Sequence, residues 1–187
     1  MRKILIVLVA IVIALLALGV YKFNFTNDDM FDIHDGTYSI NGSDVTLKNG
    51  ISEVEAAPGS ASKVITKYFG NDYKADLDGD GTDDTAFIIT QSTGGSGTFY
   101  YVVAMLNKVN GSKVGTDAVL LGDRIAPQSM NVQKNNVLIV NYADRNAGES
   151  FDIAPSLGKS MYLKVDQMNN RFGIVVKDFE GESNIPR

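Results

Sequence analysis

The chain has 187 residues and a formal net charge of −5, long enough for one domain with its own core plus an extra segment. Its acidic balance argues against nucleic acid as a partner, because no basic stripe is available to meet phosphates. The absence of cysteine removes a disulfide framework, a zinc–thiolate site, a thiol nucleophile and a lipid-anchored N-terminal cysteine.

Arg2 and Lys3 precede an uncharged apolar run from Ile4 to Val20. As a helix this run reaches about 25 Å, near the short end of what spans a bilayer. Tyr21, Lys22 and Phe23 add an aromatic and snorkelling flank. With its basic end in the cytoplasm, the segment predicts a single-pass membrane anchor and an outward-facing remainder. Ala17-Leu18-Gly19 also supplies the small residues that signal cleavage requires. Residues 1–23 therefore read either as a retained anchor or as a signal peptide whose removal leaves a secreted protein. Both readings export the chain from about residue 24 onward.

Residues 24–35 are polar with scattered aromatics and read as a linker. A β domain is expected over residues 36–180, with a short tail at 181–187. Thr37 to Ile40 alternates, Asn41-Gly42 turns, and Val45 to Leu47 alternates again. Asn-Gly is a strong hairpin signal because both residues accept positive φ. Lys48-Asn49-Gly50 repeats the device before Ile51 to Val54, which predicts a three-stranded meander. Strands are expected at Val64 to Phe69, Thr85 to Thr90, and Thr98 to Leu106, the last being apolar enough for a central position. Further short strands are expected at Val119 to Leu121, Met130 to Gln133, Val137 to Tyr142, Tyr162 to Val165 and Phe172 to Val176, with turns at Asn135-Asn136 and Asn169-Asn170. Residues 143–160 read as a long surface loop. The fold class implied is mainly β: a single antiparallel domain, sandwich or curled sheet, after the N-terminal helix.

Residues 76–84 read DLDGDGTDD. Two carboxylates about 5 Å apart at an effective dielectric near 20 repel by about 3 kcal/mol. A divalent cation would turn that repulsion into attraction. Asp76, Asp78, Asp80 and Asp84 fall at positions 1, 3, 5 and 9 of a calcium loop, with Gly81 at the sharp turn and Thr82 at the carbonyl position. Position 12 is Phe87 rather than a bidentate glutamate, and the sequence that follows is strand-like. Affinity is expected in the range of about 10⁻⁴–10⁻³ M. Asp83 is expected to face solvent. The alternative is an ion-free acidic turn.

The element D-x-D-G-D-G-x-x-D resembles the calcium loops of FG-GAP-type and dockerin-type repeats, and the strand after it favours the FG-GAP form. One loop in a chain this short supplies neither a propeller nor a dockerin pair. More widely, GTYSINGSDVTL, EVEAAPGSASK, YFGN, TQSTGGSGTFYYVVA, AVLLGDRIAP and VNYADRNAGES resemble an uncharacterised domain of exported bacterial proteins, over roughly Gly36 to Val176. That resemblance implies an envelope location and no particular chemistry.

Catalytic signatures are weak. His34 is the only histidine and reads as a surface residue. Gly94-Gly95-Ser96-Gly97 lacks the final glycine of a nucleophile elbow, since Thr98 follows. Two S-x-x-K matches end at Lys63 and Lys159; the first precedes strand-like sequence instead of opening a helix, and no K-T-G or S-D-N partner accompanies them. Asp123-Arg124 and Asp144-Arg145 each end an apolar strand. They read as salt-bridged strand ends or, with Glu149, as an edge presenting Arg124, Asp144, Arg145 and Glu149 to a polar ligand. The expectation is a non-enzymatic, membrane-tethered or secreted envelope domain that holds one structural calcium and an unidentified ligand or protein. The alternatives are a secreted carboxylate-dependent hydrolase, with Asp144 and Glu149 converging, and an inhibitor-like or scaffolding domain.

Overall fold

The computed structural model describes residues 33–175. The expected anchor, most of the linker and the C-terminal tail lie outside them. Among the described residues no helix is long and apolar enough to cross a membrane. The chain divides after Ile33 into two units, and the second, from His34 on, carries the β domain.

Strands β1 (Thr37–Ile40) and β2 (Ser43–Thr46) form an antiparallel hairpin. Its turn residues Asn41 and Gly42 have φ of 52° and 79°, the left-handed pair that such a two-residue turn requires. The Asn49-Gly50 turn repeats that geometry, with φ of 52° and 78°. It does not, however, complete the expected meander. A single bridge, Lys48 to Ile51, forms beside it, and β3 (Ile51–Glu55) leaves to pair with β4 (Lys63–Ala75). The turn's own backbone directs this exit. The Gly50 amide donates to the His34 carbonyl, and the Gly50 carbonyl accepts from the Tyr68 amide of β4.

The main sheet is six-stranded and antiparallel, in the order β3-β4-β5-β6-β7. It includes β5 (Asp84–Ser92), β6 (Phe99–Asn107), β7 (Lys113–Gly115) and β8 (Val119–Asp123), with β7 and β8 both pairing with β6. A second sheet has the order β12-β11-β10-β9. Its strands are β9 (Ala126–Gln133), β10 (Val137–Asp144), β11 (Leu157–Asp166) and β12 (Arg171–Ile174). The core lies between the sheets: Ile88, Val102, Ala104 and Leu106 meet Leu138, Val140, Leu163 and Val165. The alternate residues of β5 and β6 are buried as well, and Tyr38 of the hairpin meets Phe87 edge-on at 5.3 Å. Burial on both faces explains why these two strands read as nearly unbroken apolar runs.

Gly115 lets the hairpin lie close on β7. A Cβ there would sit 2.0 Å from the Thr37 carbonyl oxygen. Next to it, the buried Thr116 hydroxyl accepts from the Ala104 amide at 2.8 Å, and the Ala118 amide donates to the Ser39 carbonyl at 2.7 Å.

Further elements differ from the sequence reading, among them β9, which starts at Ala126 rather than Met130. β4 runs 13 residues, carried past Phe69 by bulges where Gly70 and Asn71 take positive φ. β7 has too few residues to show any alternation. β11 begins at Leu157, so the expected 143–160 loop shrinks to residues 145–156. Leu157–Ser160 carry no alternating pattern, but they pair with Asn141–Asp144.

Candidate metal centre

The acidic loop joins β4 to β5. Gly79 and Gly81 have φ of 83° and 90°. A Cβ on Gly81 would meet open space, so the constraint there is the backbone conformation alone. Asp76, Asp78, Asp80 and Asp84 fold the chain onto itself through side-chain-to-backbone bonds. Asp76 accepts from the Gly79 amide at 2.6 Å and the Gly81 amide at 3.1 Å. Asp78 Oδ1 accepts from the Asp80 amide at 3.1 Å. Asp80 Oδ1 accepts from the Thr82 amide at 2.8 Å. Asp84, the first residue of β5, is fully buried. Its Oδ2 accepts from the Leu77 amide at 2.9 Å and the Asp78 amide at 3.3 Å, and its Oδ1 from the Asn107 amide at 2.8 Å.

This folding brings one carboxylate oxygen each from Asp76, Asp78 and Asp84 within 4.8 Å of one another, a group that could hold a metal ion. Burial pushes the Asp84 carboxyl up to about 6; the nearby Asp78 charge adds to the rise, and the amide donors oppose it. The group already draws a cation from the protein itself: Lys108 Nζ lies 2.6 Å from Asp78 Oδ2, whose side chain is 2% exposed. An oxygen-only donor set of this kind is suited to a hard cation.

The loop is also clasped from outside. Asn136 Nδ2, in the turn Lys134–Asn136 between β9 and β10, donates to the Asp76 carbonyl at 2.7 Å. Gln167, just past β11, donates its side-chain amide to the Asp78 carbonyl. Asn107 Nδ2 donates to the Asp83 carbonyl at 2.6 Å. Main-chain carbonyls in a tight loop need partners, and here two of them are supplied by turns of the opposite sheet. Between the loop and those turns lies a cleft of about 460 Å³ whose lining mixes Asp78, Asn136, Lys164 and Gln167 with Leu77 and Val165.

Of the residues expected at the ion, Asp76, Asp78 and Asp84 converge. Asp80 and Thr82 are bonded to each other, and the Thr82 hydroxyl is shared between Asp80 Oδ1 and the Asn107 carbonyl. Asp80 Oδ2 accepts from the Val109 amide at 3.3 Å, and these bonds, led by the Thr82 hydroxyl, hold its carboxyl below the usual range. Asp83 is exposed, as expected. Sequence reasoning missed Asn107, Lys108, Asn136 and Gln167. They come from the end of β6 and three separate turns, and only Asn136 carried a local signal, that of a turn residue.

The second candidate surface is tightly bonded within itself. The Arg124 guanidinium grips Asp123 through Nε at 3.1 Å and Nη2 at 2.9 Å, and lies 3.5 Å above the Phe151 ring. Arg145 donates to the Arg124 carbonyl at 2.7 Å and the Ile153 carbonyl at 2.6 Å. Asp144 pairs with Lys159 at 2.6 Å. Glu149 instead closes its own turn, accepting from the Asn146 amide and side chain, both at 2.8 Å. Arg124, Asp144 and Arg145 thus share one edge and Glu149 stands apart in local bonding. Lys159 holds the Asp144 carboxyl low, and Asn146 does the same for Glu149. Neither has the raised pKa of a general acid. His34 packs its ring 4.2 Å from Tyr68.

Fold and site together define a β domain of two main sheets and a separate hairpin, with an aspartate loop clasped between the main sheets. No family model, curated protein or solved structure matches the chain.

Proposed function

We propose that this chain is an exported, calcium-stabilised β domain that works at the cell envelope as a binding module. The observation that carries the reading is the convergence of Asp76, Asp78 and Asp84 within a loop whose carbonyls are held by Asn136 and Gln167. Those three carboxylates would hold the ion, with Asp80 and the Thr82 carbonyl in reserve as further oxygen donors. Calcium fits because the donors are all oxygen and the loop has the D-x-D-G-D-G-x-x-D spacing. Binding would supply charge neutralisation and stiffen the β4–β5 loop, which Asn136 and Gln167 fasten to the second sheet. That role is structural and calls for no bond-making step. The apolar segment behind Arg2 and Lys3 supports export, because its length and flanks suit an anchor or signal.

The test is thermal unfolding of the protein during calcium titration. A bound ion raises stability as RT ln(1 + [L]/Kd), about 1–3 kcal/mol at tens to hundreds of times Kd. A midpoint that rises with calcium, fails to rise with magnesium and loses its response in Asp76→Asn supports the reading. No rise at millimolar calcium defeats it.

A further inference from the structure

We infer that a groove between the β1–β2 hairpin and the main sheet binds an uncharged, extended peptide segment as an added strand beside β2. This site is separate from the aspartate loop and does not depend on a metal. The groove encloses about 580 Å³, within the usual range for a ligand site.

Its two walls differ in kind. On the main sheet it touches alternate residues only: Ser52 and Val54 of β3, Val64 and Thr66 of β4, then Gln91 and Thr93. Alternate residues share one face of a sheet. Register confirms the row, because Ser52 pairs with Thr66 and Thr66 with Gln91. On the hairpin the groove touches Ile40 and Asn41 at the turn and then Ser43, Asp44, Val45 and Thr46 of β2, four in succession. Successive side chains point to opposite faces, so the groove meets β2 along its backbone edge.

That edge is open. β2 pairs only with β1 among the described residues. In a hairpin closed by Asn41-Gly42, Ser43 and Val45 exchange hydrogen bonds with Ile40 and Tyr38. The amides and carbonyls of Asp44 and Thr46 therefore point the other way, toward the groove. The bond from the Leu47 amide to the Gly36 carbonyl, at 2.9 Å, continues the same alternation. An extended chain alongside β2 would find two donors and two acceptors at strand spacing.

The floor chooses the ligand's chemistry. Gln91 is 8% exposed and Thr66 1%. Gln91 Nε2 donates to the Thr66 hydroxyl oxygen at 3.1 Å. Among the described residues this leaves the Gln91 carbonyl oxygen without a donor and the Thr66 hydroxyl proton without an acceptor. Val54, 57% exposed, and Val64 offer apolar contact beside them. Asp44 is the one charged side chain in the lining, so nothing there would pair with an anion. Backbone pairing along one edge, with small polar and apolar side chains below, is the chemistry of a neutral peptide such as a Thr/Val alternation.

The experiment titrates the full-length protein with acetyl-Thr-Val-Thr-Val-Thr-amide, followed by amide NMR. Expected are shifts at the Asp44 and Thr46 amides and the Gln91 side chain, with Kd near 1 mM. Methylating the central backbone nitrogens of the peptide leaves the protein untouched and removes strand donors. It should weaken binding about tenfold. Gln91→Met should weaken it several-fold, and a small unfolding shift would show the variant still folded. Equal binding of the methylated peptide, or shifts confined to residues outside the groove, overturns the inference. So does slow hydrogen exchange at Asp44 and Thr46 before any peptide is added, since the edge would then already be paired.

Discussion

Lys108 and Asp78 form an ion pair of 2.6 Å across the mouth of the aspartate loop, with the carboxylate nearly sealed from solvent and the lysine 21% exposed. The ammonium neutralises one of the three converging carboxylates, in the position a metal ion would compete for. Lys108→Gln removes that competitor. Its expected outcome is lower stability without calcium, since a buried charge loses its partner, and calcium affinity raised about tenfold. Calorimetry and thermal unfolding of both forms check the two effects separately.

Asn136 and Gln167 reach the loop from the second sheet. Asn136→Ala and Gln167→Ala should each cost about 1 kcal/mol, the usual net worth of one hydrogen bond. The double variant should also show a smaller calcium-induced rise in unfolding temperature, because the ion would then stabilise a loop no longer tied to the opposite sheet. Urea unfolding with and without calcium measures both quantities.

Gly115 sits where a side chain would strike the Thr37 carbonyl. Gly115→Ala should destabilise by about 1–3 kcal/mol, as overpacking does. The loss should be accompanied by faster amide exchange in β1 and β2, with β9 to β12 unchanged. A uniform loss of protection would mean the hairpin is not the element displaced.

Asp123 is held low by its hydrogen bonds to Arg124, and Asp144 by Lys159. A carboxyl lowered on folding contributes stability that is complete above its ordinary value of 3.8 and lost as pH falls through the folded value. Asp123→Asn and Asp144→Asn should therefore be less stable at neutral pH and lose less on acidification below about pH 4. Unfolding midpoints across that range provide the comparison.

Leu138 is fully buried between the sheets. Leu138→Ala should cost about 2–5 kcal/mol, measured by urea unfolding, and exceed any loop variant. A smaller loss would place the main core elsewhere.

The strands most legible in the sequence were those with simple surroundings. β5 and β6 are buried on both faces and read as apolar runs, and the Asn-Gly turn of β1–β2 carries its own geometry. Sequence analysis mistook β3's partner because the Asn49-Gly50 turn is locally the same as Asn41-Gly42. The difference lies in where Gly50 finds hydrogen bonds, with His34 and Tyr68, and no local pattern encodes that. Likewise Leu157–Ser160 look like loop because their strand character depends on Asn141–Asp144 beside them.

The spacing of Asp76, Asp78 and Asp84 was determined by the sequence alone, as was the Gly81 turn, because side-chain-to-backbone bonds a few residues long shape that loop. Tertiary structure decided what surrounds it. Lys108, Asn136 and Gln167 lie 30, 60 and 89 residues from the loop atoms they bond. Such contacts form only when two sheets pack, since the chain entropy spent in closing those distances is recovered from the buried core rather than from any local preference.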